Sequence, residues 1–88
     1  MTAKEIAQWM YVRLQKEKYL YQGVVVYDID TKFGRDFTYI NEIGNLAIGR
    51  NVLKEFKSLT LDTVVWDRRE RCWRMRENYD PLGKRQAD

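Results

Sequence analysis

The chain has 88 residues, 44% of them hydrophobic and 14% aromatic, with 16 Lys/Arg against 13 Asp/Glu and no histidine. That is one domain's worth of chain, too rich in aromatics to stay disordered and too short for a second core. The missing histidine removes the commonest general base and metal ligand.

Residues 2–5, Thr-Ala-Lys-Glu, have capping-box spacing, with Thr2 and Glu5 placed to satisfy each other's amides. Ala3, Ile6, Ala7, Trp9, Met10, Leu14 and Leu20 then share one face at 100° per residue. The pattern predicts an amphipathic helix over about 3–19.

Residues 21–34, YQGVVVYDIDTKFG, are ambiguous. As a strand, Val25, Tyr27 and Ile29 share a face, a pattern passable over five residues that leaves Phe33 beyond it. As a helix, Val25, Val26, Ile29 and Phe33 lie within one arc and leave Asp28, Thr31 and Lys32 outside it. Gly34 then supplies the left-handed residue that ends helices. The valines cost a few tenths of a kcal/mol each, roughly, less than burial of the arc returns. The helix is the better reading.

Residues 37–48 read as two extended runs around Asn-Glu-Ile-Gly-Asn, with Gly44 and Asn45 suited to positive φ. Helical spacing resumes after Gly49, an acceptable N-cap, with Val52, Leu53, Phe56 and Leu59 forming the apolar arc. Residues 63–77 give two β-rich runs around Asp-Arg-Arg-Glu, a hairpin. Residues 81–88, with the lone Pro81, read as a frayed polar tail. The order is helix, helix, extended connection, helix, hairpin. It predicts a small α+β domain over 1–80, three helices on two or three strands, in winged-helix order.

No apolar run is long enough to span a bilayer, no export signal is visible, and the single Cys72 has no internal disulfide partner, so a cytosolic location is expected. Cys72 reads as a buried thiol. One cysteine and no histidine do not make a zinc set, and the glycines form no phosphate-cradling motif. Asp28 and Asp30 are two residues apart and do not face each other on a helix. The chain is therefore expected to be no enzyme, with no cofactor, metal or small-molecule ligand, and no membrane partner.

The charge is uneven. Residues 1–47 carry six Lys/Arg and six Asp/Glu, whereas 48–76 carry eight and four. Such a local excess fits an anionic partner. On the third helix Arg50, Lys54, Lys57 and Ser58 fall opposite the apolar arc, with Asn51 beside them. Arg and Asn are suited to base edges, Lys and Ser to phosphates. The competing reading is an ordinary solvated face. At the hairpin tip, Arg68, Arg69 and Arg71 are placed to clamp phosphate. The plainer account of the following run is a half-buried strand. Trp73 and Met75 then point inward, Arg74 and Arg76 lie in water or pair with Asp28 and Asp30, and Trp66 and Trp73 belong to the core rather than to a base-stacking platform.

The order of elements and the stretch Val-Leu-Lys-Glu-Phe, Val-Val-Trp, Arg-Cys-Trp-Arg-Met-Arg resemble a winged helix-turn-helix domain. "TAKEIAQWM", "YINEIGNLAI", "VLKEF" and "TVVW" are similar to a family of short bacterial proteins of unassigned function, over about residues 2–80. That resemblance brings no assigned catalytic or binding residues, and isolated winged-helix domains also bind proteins. The expected partner is double-stranded DNA. The rival is a protein-interaction module or homodimer, motivated by Tyr11, Tyr19, Tyr21, Tyr27, Tyr39 and Tyr79, too many for so small a core. An accessory protein of a mobile element or phage also fits the size.

Overall fold

The computed structural model describes residues 1–77 and the backbone of Gln86–Ala87. The first helix, α1, runs Ala3–Glu17, and its capping box is formed: the Thr2 amide donates to Glu5 Oε1 at 3.0 Å and the Glu5 amide to Thr2 Oγ1 at 3.1 Å. The helix ends two residues short of the expected 19 because Lys18 turns left-handed, at φ 75°. Tyr19–Tyr21 then form a short strand, β1, where the spacing predicted only helix and its end. Leu20 is buried as expected, but from this strand.

The ambiguous segment coils. Gln22–Phe33 is α2, burying Val25, Val26 and Ile29, with Phe33 half-buried edge-on against Trp9 at 5.2 Å. Gly34 has φ 88° but ψ 174°, so the helix is stopped by an extended positive-φ glycine and not by the left-handed cap expected. One 3-10 turn, Arg35–Phe37, leads into a hairpin of β2, Thr38–Ile40, and β3, Leu46–Ile48. Gly44 takes positive φ there, at 85°; Asn45 does not, and its amide donates to Asn41 Oδ1 at 2.9 Å. Arg50–Leu59 is α3, burying Val52 and Phe56. Val64–Asp67 and Cys72–Met75 are β4 and β5, and Gln86–Ala87 adds β6. The remaining residues of the expected tail, and Tyr79, lie outside the described residues.

The class is α+β: among the described residues, three α-helices with two small, mainly antiparallel sheets. The larger sheet has the order β1-β5-β4-β6, antiparallel except for β6, which runs parallel to β4. The smaller sheet is β2-β3. Leu20, Trp73 and Trp66 lie in register on the face of the larger sheet that α3 covers, while Val65 and Cys72, alternating to the other side, are buried as well. Onto the Trp73 face α3 sets the Phe56 ring, edge-on to Trp73 at 5.3 Å, while Trp66 packs on Trp73 at 4.8 Å. Met75 joins that core half-buried, so both tryptophans belong to the core, as the plainer reading held. The second helix sits apart from α3: it packs on β1 and on the β2–β3 hairpin, while α3 packs chiefly on α1.

Polar groups close the joints. Thr60, fully buried, donates its hydroxyl to the Phe56 carbonyl at 2.7 Å, and its own carbonyl accepts from Val64 at 3.3 Å, tying the end of α3 to the start of β4. Arg13 on α1 pairs with Asp28 on α2 and with Glu17 at 3.1 Å. Asp30 accepts from the Thr38 hydroxyl at 2.7 Å and lies 4.0 Å from Arg35. Of the two expected placements of Arg74 and Arg76, in water or paired with Asp28 and Asp30, the second does not occur, and both side chains are half-buried. Arg74 pairs with Asp67 at 3.9 Å across β4–β5, and Arg76 donates to the Asp62 carbonyl at 2.8 Å.

Phe56 joins α3 to the sheet, so Phe56→Ala is expected to cost about 3–5 kcal/mol and Phe56→Leu well under half of that. Urea unfolding followed by tryptophan fluorescence reads both.

Candidate nucleic-acid interface

The α3 helix is placed at its start by a close approach. The Gly49 amide donates to the Phe37 carbonyl at 2.7 Å, and a Cβ on Gly49 would stand 2.8 Å from that oxygen and 2.8 Å from Asn51 Oδ1. Only glycine fits. This contact holds the β2–β3 hairpin against the first turn of α3, and Tyr39 on β2 comes under the Arg50 guanidinium, 5.7 Å from ring centre to Arg50 Cζ.

From that start the solvent face of α3 runs outward. Arg50, Asn51, Lys54, Lys57 and Ser58 are all exposed. Arg50, Lys54 and Lys57 make a row of three positive charges one turn apart. Asn51 departs from the expected role. Its Oδ1 accepts from the Val52 amide at 3.0 Å, so half of the side-chain amide that would read a base is spent on its own helix terminus.

The β4–β5 turn holds the other expected cations, and Arg68, Arg69 and Arg71 are exposed. Asp67 organises this turn by accepting from the amides of Arg69 at 3.0 Å and Glu70 at 3.2 Å. Arg71 differs from its neighbours. It has φ 53°, and its carbonyl accepts from the Gln22 amide at 3.1 Å, capping α2, whose N-cap Tyr21 offers no side-chain bond. Its side chain lines a hollow with Gln22, Tyr27, Asn41 and Ile43, whereas Arg50 lines another with Tyr39, Asn41 and Ile43. The hairpin tip thus lies between Arg71 and Arg50. Its part in this surface was not foreseen; the exposed isoleucines Ile40 and Ile43 in an otherwise polar turn were the signal available.

Two positions bear on chemistry. Burial, then the nearby Asp67 and Glu70 charges, push the Cys72 thiol up from its ordinary value. Asp28, paired with Arg13, raises the guanidinium further from neutrality. Among the described residues no three His, Cys, Asp or Glu side chains are grouped as a metal site, and no helix is long and apolar enough to cross a membrane.

The fold and this surface together define a small α+β protein with a cationic helix face beside an apolar hairpin. The chain belongs to DUF6953, a family of unknown function, whose profile matches residues 2–75. Neither the curated proteins nor the solved structures give a match.

Gly49→Ser and Gly49→Ala are both expected to lower the thermal midpoint, by an amount corresponding to about 1–3 kcal/mol. Serine is ordinarily the better N-cap, so a stabilising Gly49→Ser would show that the Phe37 approach is not limiting. Cys72 is expected to stay unreactive toward an aromatic disulfide reagent at pH 8 and to react within the dead time in denaturant. Because its folded value is raised, its contribution to stability is complete below the ordinary thiol range, near pH 8.5, and is lost as pH climbs through the folded value. A pH series of urea midpoints checks this against Cys72→Ala.

Proposed function

We propose that the chain is a non-enzymatic protein that binds double-stranded DNA in the manner of a winged helix, with the solvent face of α3 toward the groove and the β4–β5 turn along the backbone. The reading is supported above all by the exposed row Arg50, Lys54, Lys57 on α3 together with Arg68 and Arg69 at the turn, in the half of the chain that carries the charge excess. The strand order β1-β5-β4, with β1 between α1 and α2, fits a winged helix, and fold-level likeness is the warrant for that part.

The departures from a winged helix refine the mode. Residues 34–49 put a hairpin where a tight turn would join α2 to α3, and α3 leans on α1. The first turn of a recognition helix reads base edges; here Arg50 stacks on Tyr39 and Asn51 bonds its own helix. Phosphate contact from Lys54, Lys57, Arg68 and Arg69 then dominates, with Ser58 as a further donor, and the binding carries little sequence preference. Regulation of a promoter is the less favoured use of such a surface, and coating or anchoring of duplex the more favoured.

A second reading, a protein-interaction module or homodimeric accessory protein, rests on the tyrosines. Tyr19, Tyr21, Tyr27 and Tyr39 are exposed, as a surplus over the core requires, and Tyr11 packs half-buried with its hydroxyl 3.5 Å from Thr63.

With four to six phosphates neutralised, log K for a random duplex falls with log[salt] at a slope of about −4 to −5. Arg50→Ala with Lys54→Ala reduces that slope by about 2 and weakens every duplex nearly equally. A gel-shift series at several salt concentrations measures both, and a flat salt response overturns the proposal.

A further inference from the structure

The nucleic-acid reading leaves one surface without a role. Tyr27 on α2 is 63% exposed, Ile40 on β2 is 65% exposed, Ile43 at the hairpin tip is 80% exposed and Tyr39 is 39% exposed. They surround the β2 edge of the hairpin, with Tyr39 and Ile40 alternating to its two sides. Tyr27, Tyr39 and Ile40 line one hollow, Tyr39, Ile40 and Ile43 a second, and Tyr27 and Ile43 a third, with Leu46 shared between the first and third. Solvent exposure of four large apolar side chains in one place is costly, and rotation of a single residue does not relieve it. Tyr39 and Ile40 are held by pairing with Ala47 and Leu46 on β3, and Tyr27 is held by α2.

The rim says what covers this face. Arg35, Arg50 and Arg71 line these hollows, and so do Asp30 and Glu42. A nucleic acid would meet carboxylates as well as arginines here, and a strongly acidic or strongly basic protein would find part of the rim against it. A rim that carries both signs can pair with itself. When the same patch faces its copy across a two-fold axis, every contact is made twice, and a mixed rim can place acid against arginine on both sides. Four large, well-exposed side chains gathered at one hairpin make the kind of apolar patch that marks an interaction site. A further feature fits. The pairing of 37 with 49 and of 41 with 45 by hydrogen bonds turns the Ile40 amide and carbonyl to the outer edge of β2, where a second strand can take them.

We infer that the α2–hairpin face is a homodimer interface, formed by Tyr27, Tyr39, Ile40 and Ile43 meeting the same residues of a second copy. It is independent of the nucleic-acid reading: α3 beyond Arg50 and the Arg68–Arg69 turn are no part of it. The dimer brings two Arg50 side chains near one axis, so the two α3 helices start from the middle of the assembly.

Sedimentation of the full chain over a concentration range of about 5 to 500 µM tests this, beside Ile40→Ser/Ile43→Ser, Tyr27→Ser and, as a control, Val12→Ser on α1, which is 63% exposed but lies elsewhere. The wild type and Val12→Ser are expected to dimerise alike, and the hairpin double variant at least tenfold more weakly, with Tyr27→Ser also weakened. All four positions are exposed, so far-UV circular dichroism melts should be unchanged, and a variant whose melt falls is replaced by its Thr counterpart. A chain monomeric throughout, or a dimer indifferent to both hairpin and Tyr27 variants, overturns the inference. So does loss of duplex binding in the hairpin variant with self-association unchanged, which would assign the face to nucleic acid. Absence of duplex binding by a chain that still dimerises through this face leaves the inference standing and removes only the proposed function.

Discussion

The hydrogen bond from the Gly49 amide to the Phe37 carbonyl, 2.7 Å long, is the contact on which both surfaces of this molecule depend. It holds the hairpin at the first turn of α3. Tyr39 then lies under Arg50, and the row of cations begins where the apolar patch ends. A side chain at position 49 would push the hairpin away, since the space is filled by the Phe37 oxygen and Asn51 Oδ1. The rest of the core is conventional by comparison: Phe56, Trp73 and Trp66 stack α3 on the sheet, and α1 covers the remainder through Ile6, Ala7, Met10 and Leu14.

The two surfaces differ in what they ask of a partner. Along α3 and at the β4–β5 turn the exposed charges are predominantly positive, which favours a polyanion and makes affinity depend on salt. Around the hairpin the signs are mixed and the centre is apolar, which favours a protein and makes affinity depend on fit. Arg50 is the border residue. Its guanidinium is already stacked on an aromatic ring, an arrangement that leaves the N–H edge available to a phosphate or a carboxylate. Occupancy of one surface should therefore be felt at the other through this side chain and not through any rearrangement of the core.

Much of this was legible in the residues. The Thr2–Glu5 box, the arc Val25, Val26, Ile29, Phe33 and the arc Val52, Leu53, Phe56, Leu59 are local signals, and each helix formed where its arc lay. The turn residues Asn41 to Asn45 marked the hairpin, and alternation placed Trp73 inward. What stayed hidden needed contacts distant in sequence. β1 exists because β5 offers it a partner fifty residues on, and Leu20 keeps helical phase, so its burial could not distinguish strand from helix. The partners of Asp28 and Asp30 stayed open because charge alone cannot say that Arg13 faces α2 while Arg74 lies on the far face of the sheet, beside Asp67. For the cationic site, exposure of Arg50, Lys54 and Lys57 followed from the helical periodicity, and that of Arg68 and Arg69 from the polar turn between two β-rich runs. The inward tie of Asn51, the capping duty of the Arg71 carbonyl and the hairpin standing between Arg71 and Arg50 did not.

The central claim is that two separate faces meet at Arg50, one for a polyanion and one for a second copy. Amide chemical-shift mapping of the ¹⁵N-labelled chain tests it most directly, first by dilution and then by addition of a random duplex. The account predicts that dilution moves the amides of Tyr27, Tyr39, Ile40 and Ile43, that duplex moves those of Lys54, Lys57, Arg68 and Arg69, and that Arg50 responds to both. A single set of residues answering to both titrations, or a duplex response confined to the hairpin, would contradict it.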